Sequence, residues 1–453
     1  MIDRSAAPAP EKKLTFDLPE IKELSLSNGT KVLFVRKDKL PIVYTNLIIS
    51  CGSKSDPAAK RGTGYLTSLL VDEGAGKFDS LELNGEFEKL GSIFSVRSNH
   101  DMTSMTLTSL KDNFNRSLEL MSDVILTPRF DEKDFAREKK KVLDKILQLK
   151  DEPSFIASSV FERKIFKDSY YAFPEIGFEN TVADISNNDI KKFYTQNYTA
   201  ANSTFVVVGN LTESEVTDKF NGYFSKWDSS KKSSAIFEKP ERAPTSFYFV
   251  HKKDSAQSEI RIGHLAKKRD AADFIPARIM NTILGGQFSS RINLNLREDK
   301  GFTYGANSSF QYYREAGLFE VSTAVNIENT GEAVSEILKE LDGIRKEITP
   351  KEIEFAKSYL IKQFPARFET YAQVAKNIEQ LILHRLDIDD LRGYTGKIES
   401  TEIREVSAAA LENIFPEELV VVAVGEKEKI IPQLKKIKGV EPEELDLNGN
   451  PQI

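Results

Sequence analysis

Four histidines (His100, His251, His264 and His384) and one cysteine (Cys51) are the residues of this 453-residue chain most able to bind a metal or act as nucleophiles. Zinc catalysis needs three neutral or anionic ligands and an open position for water. No two of the histidines stand at the i,i+4 spacing that sets a ligand pair on one helix face. Each therefore reads as an ordinary surface or core histidine, with His251 and His264, flanking a presumed strand pair, the one place where two could meet. Cys51 has no disulfide partner in the chain and reads as a small core residue. Gly74-Ala75-Gly76 begins like a dinucleotide fingerprint but lacks the third glycine and a preceding strand, so it reads as a helix-ending turn. There is no phosphate loop and no serine elbow. The run Arg137-Glu138-Lys139-Lys140-Lys141 reads as a solvated helix face.

The elements that must position any site follow from patterning. Glu23 to Val35 alternates polar and apolar residues on both sides of Asn28-Gly29, which predicts an opening β-hairpin. Ile42–Ser50 reads as a third strand, 62–72 as an apolar helix and 80–90 as a more polar one. Strands are expected around 92–96 and 102–110, helices over 113–126 and 132–149, then a helix from Asn188 and a strand at 203–208. Apolar residues make up 40% and charged residues 29%, a balance that predicts a packed globular protein. A net charge of −6 with both signs interspersed gives no basic stripe, which argues against nucleic acid. No apolar run approaches the roughly 20 residues of a membrane-spanning helix.

The chain also repeats itself. Phe205-Val206-Val207-Val208-Gly209 returns as Val420-Val421-Val422-Ala423-Val424-Gly425, and each copy follows a similar polar lead into a helix, Asp184-Ile185-Ser186 in one case and Ile398-Glu399-Ser400 in the other. Residues 227–245 are rich in Ser, Lys, Glu and Pro and read as a linker. The expected fold class is α+β, with two homologous domains, each a mixed or antiparallel sheet packed against helices. The boundaries are a flexible tail over 1–15, an N-terminal domain over 16–226, the linker, a C-terminal domain over 246–440, and a tail over 441–453. Two such halves would enclose a cleft.

One segment is more specific. Leu284-Gly285-Gly286-Gln287-Phe288-Ser289-Ser290-Arg291 leads through Leu296-Arg297-Glu298 to Lys300-Gly301-Phe302-Thr303-Tyr304-Gly305. It resembles the C-terminal-domain signature of the pitrilysin/insulinase-type metallopeptidases, and the resemblance extends over nearly the whole chain, the hairpin and the duplication included. The resemblance implies a working pair in Arg297 and Tyr304, the arginine ending a helix and the tyrosine on the following strand. A guanidinium and a phenol preorganised in one cleft would stabilise the negative charge that builds on an attacked peptide carbonyl. It also implies that the turn with Gly285, Gly286, Phe288 and Ser289 contacts substrate.

In that family zinc sits on an inverted H-x-x-E-H helix, with two histidines as ligands and a glutamate as general base. Aligned on Gly64, this chain carries Thr67 and Val71 at the histidine positions and Leu70 at the glutamate position. Lys145 stands where a third ligand, a glutamate, belongs. The resemblance therefore implies a non-catalytic subunit with no cofactor of its own, working with a zinc-bearing homologous subunit. Together they would form a heterodimeric peptidase in which Arg297 and Tyr304 complete the oxyanion site in trans. Unfolded peptides would bind as an added strand on a sheet edge of the partner. The alternatives are an inert scaffold, like the core subunits of a respiratory complex, or a peptide-binding module, like the recognition subunit of a processing peptidase. The start of the chain lacks an apolar signal segment, so the expected location is cytoplasmic, or periplasmic if a signal peptide has been removed.

Overall fold

The Asn28 side chain closes the expected hairpin: its Oδ1 accepts from the Thr30 amide at 3.1 Å, and Gly29 takes a φ of 85°, a conformation glycine adopts at no steric cost. The computed structural model describes residues 16–229 and 236–452. The expected N-terminal tail and residues 230–235 of the expected linker lie outside the described residues.

Six strands form the first sheet: β1 (Lys22–Ser25), β2 (Lys31–Arg36), β3 (Ile42–Ile49), β4 (Ile93–Ser98), β5 (Thr103–Leu110) and β6 (Ser203–Gly209), in the order β1-β2-β6-β3-β5-β4. The second sheet holds β7 (Ser246–His251), β8 (Gln257–Ala266), β9 (Ala306–Tyr312), β10 (Gly317–Asn326), β11 (Val420–Gly425) and β12 (Glu443–Leu445), in the order β12-β7-β11-β8-β10-β9. Directions match as well: β2 runs parallel to β6 as β7 does to β11, and the remaining inner pairs are antiparallel. The duplication in the sequence is thus a duplication of topology.

The halves differ at one edge. β1 joins the first sheet antiparallel from the N-terminal side, whereas β12 joins the second sheet parallel to β7. Residues 441–453, expected as a tail, therefore include an edge strand. Its Glu-Glu-Leu sequence has no apolar alternation to announce it, because only Leu445 is buried.

Each sheet packs one face on helices of its own half. Phe205 and Val207 of β6 join a core with Leu66, Leu70, Leu118 and Val124. The opposite faces are covered reciprocally. The helix Pro153–Phe166, which sequence patterning did not resolve, belongs to the first half by chain order yet packs Ile156, Val160 and Phe161 against Val422, Val424 and Leu265 of the second sheet. The helix Tyr371–His384 of the second half packs Val374 and Ile378 in one core with Val206, Val208 and Ile48 of the first sheet. Gly263 of β8 permits a close approach: a Cβ there would lie 1.9 Å from the Phe319 carbonyl oxygen and 3.0 Å from the Phe161 ring.

Polar contacts fix this exchange. Asn46 donates to Glu379 at 3.0 Å, and the Tyr371 hydroxyl accepts from the Leu40 amide and donates to the Lys37 carbonyl. Between the halves the buried Asp101 carboxylate accepts from the Tyr171 hydroxyl at 2.9 Å and from the Arg314 amide at 2.8 Å, and pairs with Lys54 at 3.3 Å. Beside it, the His100 ring lies edge-on to both Tyr171 and Tyr313. Burial alone would lower the basicity of His100, but the Glu175 carboxylate 3.0 Å away raises its pKa to about 9. A histidine raised on folding adds stability that is complete below its unfolded value of about 6.5 and is lost as pH rises through the folded value. The urea midpoint is expected to fall between about pH 6.5 and 9, and Glu175→Gln should flatten that slope; identical slopes in the two proteins would contradict the assignment.

Candidate functional site

The second half's signature folds around a buried asparagine. After the helix Phe274–Leu284 the chain turns at Gly285, whose carbonyl accepts from the Ser308 amide of β9 at 3.0 Å. A Cβ on Gly285 would meet Ser308 at 2.4 Å, so the turn lies hard against the strand and excludes larger residues. Gly286 and Ser289 are exposed, and Phe288 is 64% exposed. The Ser289 amide donates to the Gln287 side chain at 2.6 Å. A short helix, Arg291–Asn293, follows and runs into a π-helical turn, Leu294–Asp299, in which the Lys300 amide reaches back five residues to the Asn295 carbonyl. Such wide turns recur at functional sites.

Arg297 sits in this turn, and its guanidinium carbon lies 4.4 Å from the Phe288 ring centroid. Its Nη1 is 3.4 Å from Glu298 Oε1 but is buried with no hydrogen bond made. Stacking holds the group in place and leaves donors unused. Tyr304 was expected on the strand. It lies instead in the loop ahead of β9, 93% exposed, because Thr303 turns the chain there: its hydroxyl donates to the Gly305 carbonyl and accepts from the Gly305 amide. Arg297 and Tyr304 flank one loop, but Tyr304 faces solvent and not a cleft within this chain.

Asn293 was not singled out by sequence reasoning. Its Nδ2 donates to the Phe288 carbonyl at 2.7 Å and its Oδ1 accepts from the Ala306 amide at 3.0 Å, so one side chain 4% exposed ties the Phe288 turn to the Tyr304 loop. A polar residue between Ile292 and Leu294, both apolar, was the available signal.

The positions that would hold zinc do not fit it. Thr67 is fully buried and its hydroxyl donates to the Thr63 carbonyl at 2.7 Å. Leu70 and Val71 are fully buried in the first half's core. Lys145 is an exposed cation on the helix Glu132–Leu149. The nearby acids already face a cation of the chain: Arg137 pairs with Glu73, Asp134 and Glu138, the last at 3.0 Å. Burial, reinforced by the charges of Glu73 and Glu138, pushes the Asp72 carboxyl up to about 7. The histidines do not converge. His251 accepts from the Lys427 amide, His264 is packed between Phe319 and Phe415, and β11 separates the strands that carry them.

Residues 31–172 match the family model described as insulinase (peptidase family M16), and residues 184–360 match the one described as the peptidase M16 inactive domain. An uncharacterized zinc protease, YmxG, of Bacillus subtilis (strain 168) is 23% identical over 343 residues, which cover 75% of this chain and 82% of the relative. A protein of Helicobacter pylori (strain ATCC 700392 / 26695) called a non-peptidase homolog, also YmxG, is 21% identical over 401 residues, 84% of this chain and 91% of the relative. The crystal structure of a peptidase M16 inactive domain from Pseudomonas fluorescens superposes with a TM-score of 0.85 at 25% identity, covering 90% of this chain and 98% of that one.

Removing the asparagine tie should loosen the frame and not the fold. Asn293→Ala leaves the Ala306 amide without its acceptor, a loss of about 1–3 kcal/mol by the usual cost of a buried unpaired donor. Hydrogen exchange at Ala306 is expected to accelerate while amides of β10 keep their protection; unchanged exchange at Ala306 would show that the tie does not hold the loop.

Proposed function

The chain belongs to the M16 peptidase family, and from that premise we propose that it is the zinc-less subunit of a heterodimeric peptidase. It would supply Arg297 and Tyr304 while a homologous subunit supplies the metal. The observation that carries this reading is the contrast between the two halves. The positions of the metal helix have become core, with Thr67, Leu70 and Val71 all fully buried, whereas the second half's signature keeps a braced frame that presents an aromatic, a guanidinium and a phenol at the surface.

Exposed aromatic side chains grouped with an arginine are the composition of a surface that another protein covers. In the proposed complex a zinc ion held by the partner would supply polarisation of the peptide carbonyl under attack. This chain's part is to offer donors: the Tyr304 hydroxyl and the free N–H groups of Arg297 would meet the developing oxyanion or the neighbouring backbone carbonyl of the peptide. Arg297 is held by its stacking on Phe288, and Tyr304 is carried on a loop tied down by Asn293. The non-peptidase name of the Helicobacter relative accords with a subunit that does not cleave alone.

A second reading has one observation in its favour. Tyr304 stands free of the strand and almost wholly in solvent, as a residue released from a catalytic duty would. An inert scaffold or a peptide-binding subunit would keep the fold and the interface without needing the phenol. The two readings separate on turnover. Tyr304→Phe is expected to leave assembly with the zinc-bearing subunit intact and to lower peptide hydrolysis by the complex on the order of 100-fold, the usual loss for one oxyanion donor. Turnover equal to that of the unaltered complex would favour the scaffold.

A further inference from the structure

A groove of about 200 Å³ runs beside the Gly286 turn, between β9 and the helices Phe274–Leu284 and Pro350–Gln363. Its walls combine aromatic faces, Phe310, Tyr312 and Tyr359, with the hydroxyls and amides of Asn281, Thr282, Ser308, Ser309 and Gln363. Among the described residues that line it, Arg278 is the one charged side chain.

Arg278 is half-buried, and its Nε is buried with no hydrogen-bond partner. Its guanidinium lies 6.0 Å from the Tyr394 ring centroid, and a second guanidinium, that of Arg367, lies 5.7 Å from the same ring. Among the described residues the Arg367 guanidinium donates to the amide oxygen of Asn377, at 2.8 Å. Neither cation forms an ion pair with a carboxylate among the described residues, although the neighbouring Arg269 does, with Asp390. Burial, then the charge of Arg278, holds Arg367 below the ordinary arginine value. Two half-buried guanidiniums near one ring, offset only through space by Asp390, which is itself paired with Arg269, leave a local excess of positive charge in a low-dielectric wall, and an incoming anion would relieve it.

We propose that this groove is a carboxylate-binding site in which Arg278 receives the free C-terminal carboxylate of a short peptide, with the aromatic walls holding its last side chain. A carboxylate fits the planar fork of arginine in a two-point contact, and the terminal nitrogens of Arg278 supply the donors. A volume of about 200 Å³ suits one amino-acid side chain and its carboxylate. The polar groups of Ser309 and Gln363 suit the preceding peptide unit. The site lies wholly within this chain, so it does not depend on the proposed partner or on Arg297 and Tyr304.

The test is calorimetric titration of the full-length chain with a tetrapeptide ending in phenylalanine, its C-terminally amidated twin, and inorganic phosphate. The free acid is expected to bind, the amide to bind at least tenfold more weakly, and phosphate to compete poorly. Arg278→Gln should weaken the free acid at least tenfold and leave the weak amide binding unchanged, with Arg278→Lys in between. The comparison of acid with amide uses the unaltered protein, so it stands even if a variant fails to fold. Equal binding of acid and amide, competition by phosphate as strong as by the peptide acid, or no binding of the acid would each overturn the proposal.

Discussion

Two sheets that must each be covered on both faces, by a chain that supplies helices for only one face from its own half, set the constraint on which the rest of this structure depends. The β6 run Phe205-Val206-Val207-Val208 shows it directly, since alternate residues point to opposite faces and all are buried. Phe205 and Val207 meet helices of the first half, and Val206 and Val208 meet the helix Tyr371–His384 of the second. β11 repeats the arrangement, with Val422 and Val424 taking the helix Pro153–Phe166 from the first half. Neither half can bury its second face alone. The exchange makes one folding unit out of two sequence repeats, and the buried Asp101 junction stitches it where the halves meet.

Much of this was legible in the sequence, for physical reasons that also explain the rest. The Asn28-Gly29 hairpin, the strands of the first sheet and the repeat of the β-branched run follow from local patterning, and each is present. The helix Pro153–Phe166 was not legible. It is buried among elements of both halves and so lacks a clean polar face, and its partners Leu265, Val422 and Val424 belong to the other half of the chain. β12 escaped notice because an edge strand of three residues needs only one apolar contact, that of Leu445. Tyr304 was placed one element too far along, because the hydrogen bonds of Thr303 to its own neighbours end the loop two residues later than the Gly301 turn suggests.

The candidate site shows the same division. The residue types at 67, 70, 71 and 145 already argued against metal ligands, and the structure adds what those residues do: three fill a core and one faces solvent. A helix can keep its packing role after its chemistry has gone. The signature of the second half gave the residues of the exposed constellation but not their support, because the Asn293 tie joins positions 13 residues apart through a side chain whose direction no spacing rule reveals. Under the proposed reading, a chain without a metal site would still serve a metal-dependent reaction by presenting donors at its surface to a substrate that another subunit brings.

That claim is tested most directly by purifying this chain from its native cells under gentle conditions, measuring the mass and zinc content of what emerges, and assaying peptide hydrolysis by the assembly and by its separated chains. The account predicts a one-to-one complex with a homologous subunit that carries one zinc ion, and hydrolysis that requires both chains. A chain recovered alone, or a zinc-bearing homologue as active without it as with it, would contradict the account.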